Sequence, residues 1–179
     1  GPDPAQEAKD EYLYMELERL VMSMGQLAIG EFEIDVDAFD FPPEAEDLAA
    51  MFGVVTESIQ GTMNAIRSLI HEIDTVALDV LKGRLAARAD AAAHAGEYSQ
   101  LMSGFNGTLD ALVGHLDAMP IPAFIIDREY LLQYVNPAAA KLLGRSREEL
   151  TDLRCHDVVA TEHCGSPSCG CHKSMEARE

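Results

Sequence analysis

The 179-residue sequence predicts a mainly α fold, with parallel four-helix coiled-coil bundles of a homodimer, two of them stacked, followed by a partial α+β region. Three observations predict it. The chain repeats itself at an offset of 53 residues, apolar positions inside each copy step by three and four, and after Pro120 the pattern changes to short strands and short capped helices.

The repeat pairs Gly30 with Gly83, Asp37 with Asp90, Ala38 with Ala91, Glu44 with Glu97, Leu48 with Leu101 and Phe52 with Phe105. Leu17, Leu20 and Leu27 fall on Ile70, Ile73 and Val80. Two copies of one supersecondary unit therefore stand in tandem.

Copy one opens with a helical series, Leu13, Leu17, Leu20, Met24 and Leu27, that runs to Gly30. An alternating stretch, Phe32–Val36, and a Pro-containing acidic segment lead to a second series: Leu48, Phe52, Val55 and Ile59. Its 4-3-4 spacing is a coiled-coil seam, narrower than the face of a helix lying on a globular core. No breaker follows, and the series continues through Met63, Ile66, Ile70, Ile73, Ala77 and Val80. Two successive steps of four near Met63 form a stutter, which locally unwinds a left-handed supercoil. One helix from about Glu44 to Leu81 is expected, longer than about 50 Å. The seams Leu17–Leu27, Leu48–Val80 and Leu101–Leu116 are too long and narrow to be buried within one chain, so a parallel homodimer is expected. Phe52 and Phe105 should be equivalent core residues, with Phe32, Ile34 and Leu85 in the grooves between helices.

The turns Ala28–Phe32 (AIGEF) and Leu81–Leu85 (LKGRL), each followed by an extended connector and by Glu44 or Glu97 opening a second helix, resemble the HAMP signalling module. The Asp that usually precedes that Glu is replaced by Pro43 and Gly96, and the Pro common in the family's first helix is absent, as in divergent tandem arrays. The resemblance implies four-helix bundles formed by two chains that relay conformational signals.

Pro120 and Pro122 end the helical pattern. Ala123–Ile126 and Leu131–Val135 read as two strands around the turn Asp127–Tyr130. Asn136 is an N-cap with Pro137 at the first helical position, Gly144 closes that helix, and Ser146–Glu149 is a capping box. This order, with Pro122–Asp127 (PAFIID), Tyr134–Ala139 (YVNPAA) and Gly144–Leu150 (GRSREEL), resembles the opening of a PAS sensor domain. The resemblance covers the first half of that family's sheet and its helical connectors. The implied division is a scar or linker over 1–10, HAMP-like units over 11–63 and 64–117, and the N-terminal part of a PAS-like domain over 118–179.

Chemistry concentrates at one place: Cys155, Cys164, Cys169 and Cys171, with His156, His163 and His172, in a chain that has no other cysteine. Thiolates near Gly and Pro turns can fold around zinc or an iron–sulfur cluster, and the four cysteines are the expected ligands, with His163 or His172 able to replace one. The spacing C-x8-C-x4-C-x-C matches no standard zinc knuckle, and redox switching or idle thiols stay open as alternatives. His71, His94 and His115 are expected to be solvated or packed, not ligands.

With 31 acidic against 13 basic residues and a net charge of −18, the chain lacks the clustered Lys/Arg surface that nucleic acid requires. No apolar run approaches the ~20 residues of a membrane span, so a cytoplasmic fragment without membrane contact of its own is expected, from a parent that can be membrane-anchored. No nucleophile–base pair or phosphate loop points to an enzyme. The expectation is a signal relay to or from a sensor, as in methyl-accepting chemotaxis proteins, with neighbouring signalling domains as partners. A sensor histidine kinase fragment, or a metal- or redox-binding module on a coiled-coil stalk, is the alternative.

Overall fold

The structure is a computed structural model and describes residues 3–32, 34 and 39–176. The chain divides into two compact units, Gly1–His71 and Glu72–Glu179, with the boundary inside a helix.

In the first unit, α1 spans Pro4–Ala28. It starts inside the stretch expected to be a scar or linker. Asp3 caps it, its carboxylate accepting from Ala5 N, and Pro4 occupies the first turn, where a missing N–H costs nothing. A 3₁₀ turn, Pro43–Ala45, leads into α2, Glu46–Leu81, so the long unbroken helix is present and begins two residues after the expected Glu44. The alternating stretch Phe32–Val36 and the pairings of Asp37 and Ala38 lie largely outside the described residues. Of the groove-filling residues expected there, Ile34 packs against Ile59 and Met63 together with Leu20 and Leu27.

Position by position, α1 presents an unexpected face to its own chain. Tyr12, Glu16 and Ser23 are buried, whereas Leu17 is 50% and Met24 53% exposed. Tyr12 stands edge-on to Phe52 at 6.1 Å and to Phe41 at 6.4 Å, above a fully buried Ala45. Glu16 Oε2 pairs with Arg19 at 2.6 Å, Arg19 Nη2 donates to Thr56 Oγ1, and Glu16 Oε1 accepts from Phe39 N at 2.7 Å. The buried carboxylate thus ties the connector to both helices. Periodicity alone places only apolar residues inside.

The second unit holds the end of α2, a 3₁₀ turn at Ala91–Ala93 and α3, Glu97–Asp117. The two helix ends of the repeat are built alike. Gly30 N donates to Leu27 O and Glu31 N to Gln26 O; Gly83 N donates to Val80 O and Arg84 N to Asp79 O. With φ of 87° and 90° at the two glycines, both are Schellman terminations, which favour a residue without Cβ. The connectors are anchored alike too. Glu16 accepts from Phe39 N in the first copy, and Glu72 from Asp90 N and from His94 Nε2 in the second.

The expected equivalence of Phe52 and Phe105 fails in degree. Phe52 is buried, Phe105 is half-buried, and the enclosed residue of α3 is Met102. The reason is visible in the repeat: Tyr12 and Phe41, which box Phe52, correspond to Ala65 and His94, so Phe105 has no aromatic box.

Beyond α3, β1 (Phe124–Ile126) and β2 (Leu132–Val135) pair antiparallel with Phe124 opposite Val135 and Ile125 opposite Tyr134. Asp127 shapes the turn, accepting from Glu129 N and Leu131 N and from Gln133 Nε2. Four short helices follow: α4 (Pro137–Leu143), α5 (Arg147–Leu150), α6 (Cys155–Val158) and α7 (Gly170–Glu176). Asn136 caps α4, Gly144 ends it with φ 65°, and the Ser146–Glu149 capping box opens α5, as the sequence indicates. Leu132, Val135, Ala139 and Leu150 form the core, with Phe124, Ile126, Leu143 and Val158 at its margin. The outer edge of β2 is covered: Leu132 N donates to Leu153 O and Asp152 N to Leu132 O. A two-stranded sheet alone is marginal in water, and this cover plus the helices supplies the missing partners.

Candidate functional site

The four cysteines converge. Cys155 is the first residue of α6, Cys164 lies in the α6–α7 loop, Cys169 immediately precedes α7, and Cys171 is in its first turn. Together with Tyr130, His156, His172 and Gly165–Pro167 they line a half-open recess of about 400 Å³. The sulfurs of Cys155 and Cys171, sixteen residues apart in sequence, stand 3.9 Å from each other.

Backbone hydrogen bonds fix the wall formed by α6. Cys155 N donates to Tyr130 O at 2.8 Å, so this buried thiol is fastened to the hairpin turn. Tyr130 itself has φ 62°, and its hydroxyl reaches His172 Nδ1 at 3.1 Å. The other nitrogen of His172, Nε2, faces Glu176 Oε1 at 3.3 Å. Tyr130 was not among the residues that the sequence singles out; its place at the tip of an Asp-led turn was the available signal.

The thiols differ in character. Burial, then the neighbouring Cys171 thiol, push Cys155 up to about 12. Burial also raises Cys171. Cys169 goes the other way, lowered by the backbone N–H of His172 and then that of Cys171, which point at its sulfur. Cys164 Sγ accepts from Thr161 N at 3.3 Å. The recess therefore offers soft donors of graded acidity.

Among the described residues no three His, Cys, Asp or Glu side chains already stand as a metal-binding group. His163, expected as a substitute ligand, does not line the recess; its side chain is 58% exposed beside Glu162. His156 lines it but pairs with Asp157 at 3.2 Å. Of the histidines expected on or beside the helices, His94, which follows the 3₁₀ turn Ala91–Ala93, is held by Glu72 at 2.5 Å.

A second constellation joins α3 to the hairpin. Tyr134 Oη donates to Asp117 Oδ1 at 2.6 Å, Arg147 pairs with the same carboxylate, and the Arg147 guanidinium lies 5.1 Å from the centre of the Tyr134 ring. Burial, then the hydrogen bond to Asp117, push the Tyr134 hydroxyl up to about 12. Asn136, fully buried, donates through Nδ2 to Ile121 O at 2.9 Å and, at 3.4 Å, to Leu116 O and Met119 O. Its Oδ1 accepts from Ala123 N and Ala139 N. One amide thus holds the end of α3, the start of β1 and the cap of α4. The turn at Gly83 also reaches the hairpin, where a Cβ on Gly83 would lie 2.7 Å from Ile125 Cγ2 and 3.1 Å from Gln133 Cβ.

Residues 116–178 match the family model described as the PAS fold. No curated protein and no solved structure matches the chain. The C-terminal part is thus a PAS-like region of a kind used in signalling sensors. Among the described residues no helix is long and apolar enough to cross a membrane.

Proposed function

We propose that this chain is a signal-relay element, two tandem HAMP-like units joined directly to a PAS-like sensor, working as a parallel homodimer in a chemoreceptor. The observation that carries the reading is the junction: the last turn of α3 is bonded to the PAS-like region, to β2 through Asp117 and Tyr134, to α5 through Arg147 and to the cap of α4 through Asn136, so a rotation or shift of that helix strains the sensor, and the reverse. A two-state repacking of the bundles, biased from either end, is the mechanism such a junction serves.

Supporting the dimer, apolar stripes at heptad spacing stay open on the single chain: Tyr14, Leu17, Val21 and Met24 on α1, Tyr98, Leu101 and Leu112 on α3. A second copy in register offers the same stripe to each. The proposed boundaries remain 11–63 and 64–117 for the HAMP-like units and 118–179 for the sensor part, with relay and not catalysis as the role and a cytoplasmic setting.

Hydrogen exchange tests the junction. Asp117→Asn should lower protection in both the last turns of α3 and the β1–β2 hairpin while α1 is unchanged. Loss confined to one side of the junction would show that the two elements are not coupled.

A further inference from the structure

We infer that the recess is a mononuclear site for a thiophilic divalent cation of the zinc class, bound by the thiolates of Cys155, Cys164, Cys169 and Cys171 with no histidine in the set. The inference does not rest on the relay reading.

The sulfur spacing fits two thiolates on one ion. At a zinc–sulfur bond of about 2.3 Å, two thiolates on a tetrahedral ion are about 3.8 Å apart. The Cys155–Cys171 separation is 3.9 Å. An iron–sulfur cubane holds its cysteines on separate irons and therefore farther apart. A disulfide would need the same sulfurs to close to about 2.05 Å.

Geometry also removes the histidines. His172 uses Nδ1 on Tyr130 and Nε2 on Glu176, His156 pairs with Asp157, and His163 is outside the recess. Four thiols line one recess, and four complete a closed tetrahedral shell. Because Cys164 and Cys169 do not yet share a point with the 155–171 pair, binding turns them inward by side-chain rotation, and each ligating thiol releases its proton to solvent. The Cys169-x-Cys171 spacing is met by placing the first just outside α7 and the second within its first turn.

The consequence reaches the sensor. The ion would join α7 and the 159–169 loop to α6, whose Cys155 N–H is held by the Tyr130 carbonyl at the hairpin turn. Occupancy would thereby set the order of the segment that meets the hairpin turn through the His172–Tyr130 contact.

Cobalt(II) titration of the reduced, chelator-stripped full chain under anaerobic conditions decides the matter. One Co²⁺ per chain is expected, with the visible bands of tetrahedral thiolate coordination, displaced by Zn²⁺ and accompanied by slower proteolysis between Val159 and Lys173. Cys155 is buried, so its replacement can disturb folding; Cys164→Ser and Cys169→Ser, whose fold circular dichroism can check, should each weaken binding at least about tenfold. Absence of cobalt uptake, uptake unchanged in both serine variants, or purification with several irons and labile sulfide per chain would each overturn the assignment.

Discussion

Glu16 is the residue on which the first unit turns. Its carboxylate is fully buried, and its partners are Arg19 and the Phe39 N–H. Removing one member of a buried pair leaves the other charge uncompensated, so Glu16→Ala should cost about 3–5 kcal/mol in urea unfolding. Lys9→Ala, which removes the exposed Lys9–Asp47 bridge, should cost less than about 1 kcal/mol in the same assay. Equal costs would refute the placement of the pair. None of this was legible from spacing, because a Glu four residues after Tyr12 reads as a solvated face; only its acceptance of a backbone N–H from a distant connector makes it internal. Tyr134 gives a second residue-level expectation. Its folded value of about 12 exceeds the ordinary 10, so the folded chain keeps the proton that the unfolded chain loses. Stability contributed by Tyr134 is full below pH 10 and is lost as pH rises toward 12. Tyr134→Phe should flatten that part of the stability profile and remove one late-ionising tyrosine from an ultraviolet titration.

At the scale of elements, the two glycine turns separate backbone strain from packing. Gly30 and Gly83 share a left-handed φ, yet a Cβ meets nothing at Gly30 and meets Ile125 and Gln133 at Gly83. Gly30→Ala should therefore cost about 1–2 kcal/mol by calorimetry, the penalty of the conformation alone. Gly83→Ala should cost clearly more and shift hairpin resonances. A Gly83 variant as mild as the Gly30 one would mean that turn and hairpin do not touch. The turns themselves were readable in sequence, as were the extent of α2 and the caps of α4 and α5, because each is dictated by a local signal: a Gly after an apolar series, an unbroken heptad run, Asn136-Pro137, Ser146 with Glu149. The early start of α1 was not, since Asp3-Pro4 reads as a linker as readily as a helix opening. For the cysteines, type and clustering were visible, but the approach of Cys155 to Cys171 depends on how the 159–169 loop folds back, which spacing does not encode.

At the scale of the whole molecule, the proposed relay requires two chains to associate. Leu17, Leu101 and Leu112 are exposed in a single chain at the heptad positions that a coiled-coil partner would cover. An isolated chain with such stripes would be a poor solute, whereas the proposed dimer would bury them and give the junction at Asp117 a partner against which to move. Sedimentation equilibrium of the full chain at micromolar concentration tests this directly. Twice the 19.5 kDa chain mass is expected, falling toward a single chain in the double variant Leu17→Asp, Leu101→Asp. A compact 19.5 kDa species from the unaltered sequence would contradict it.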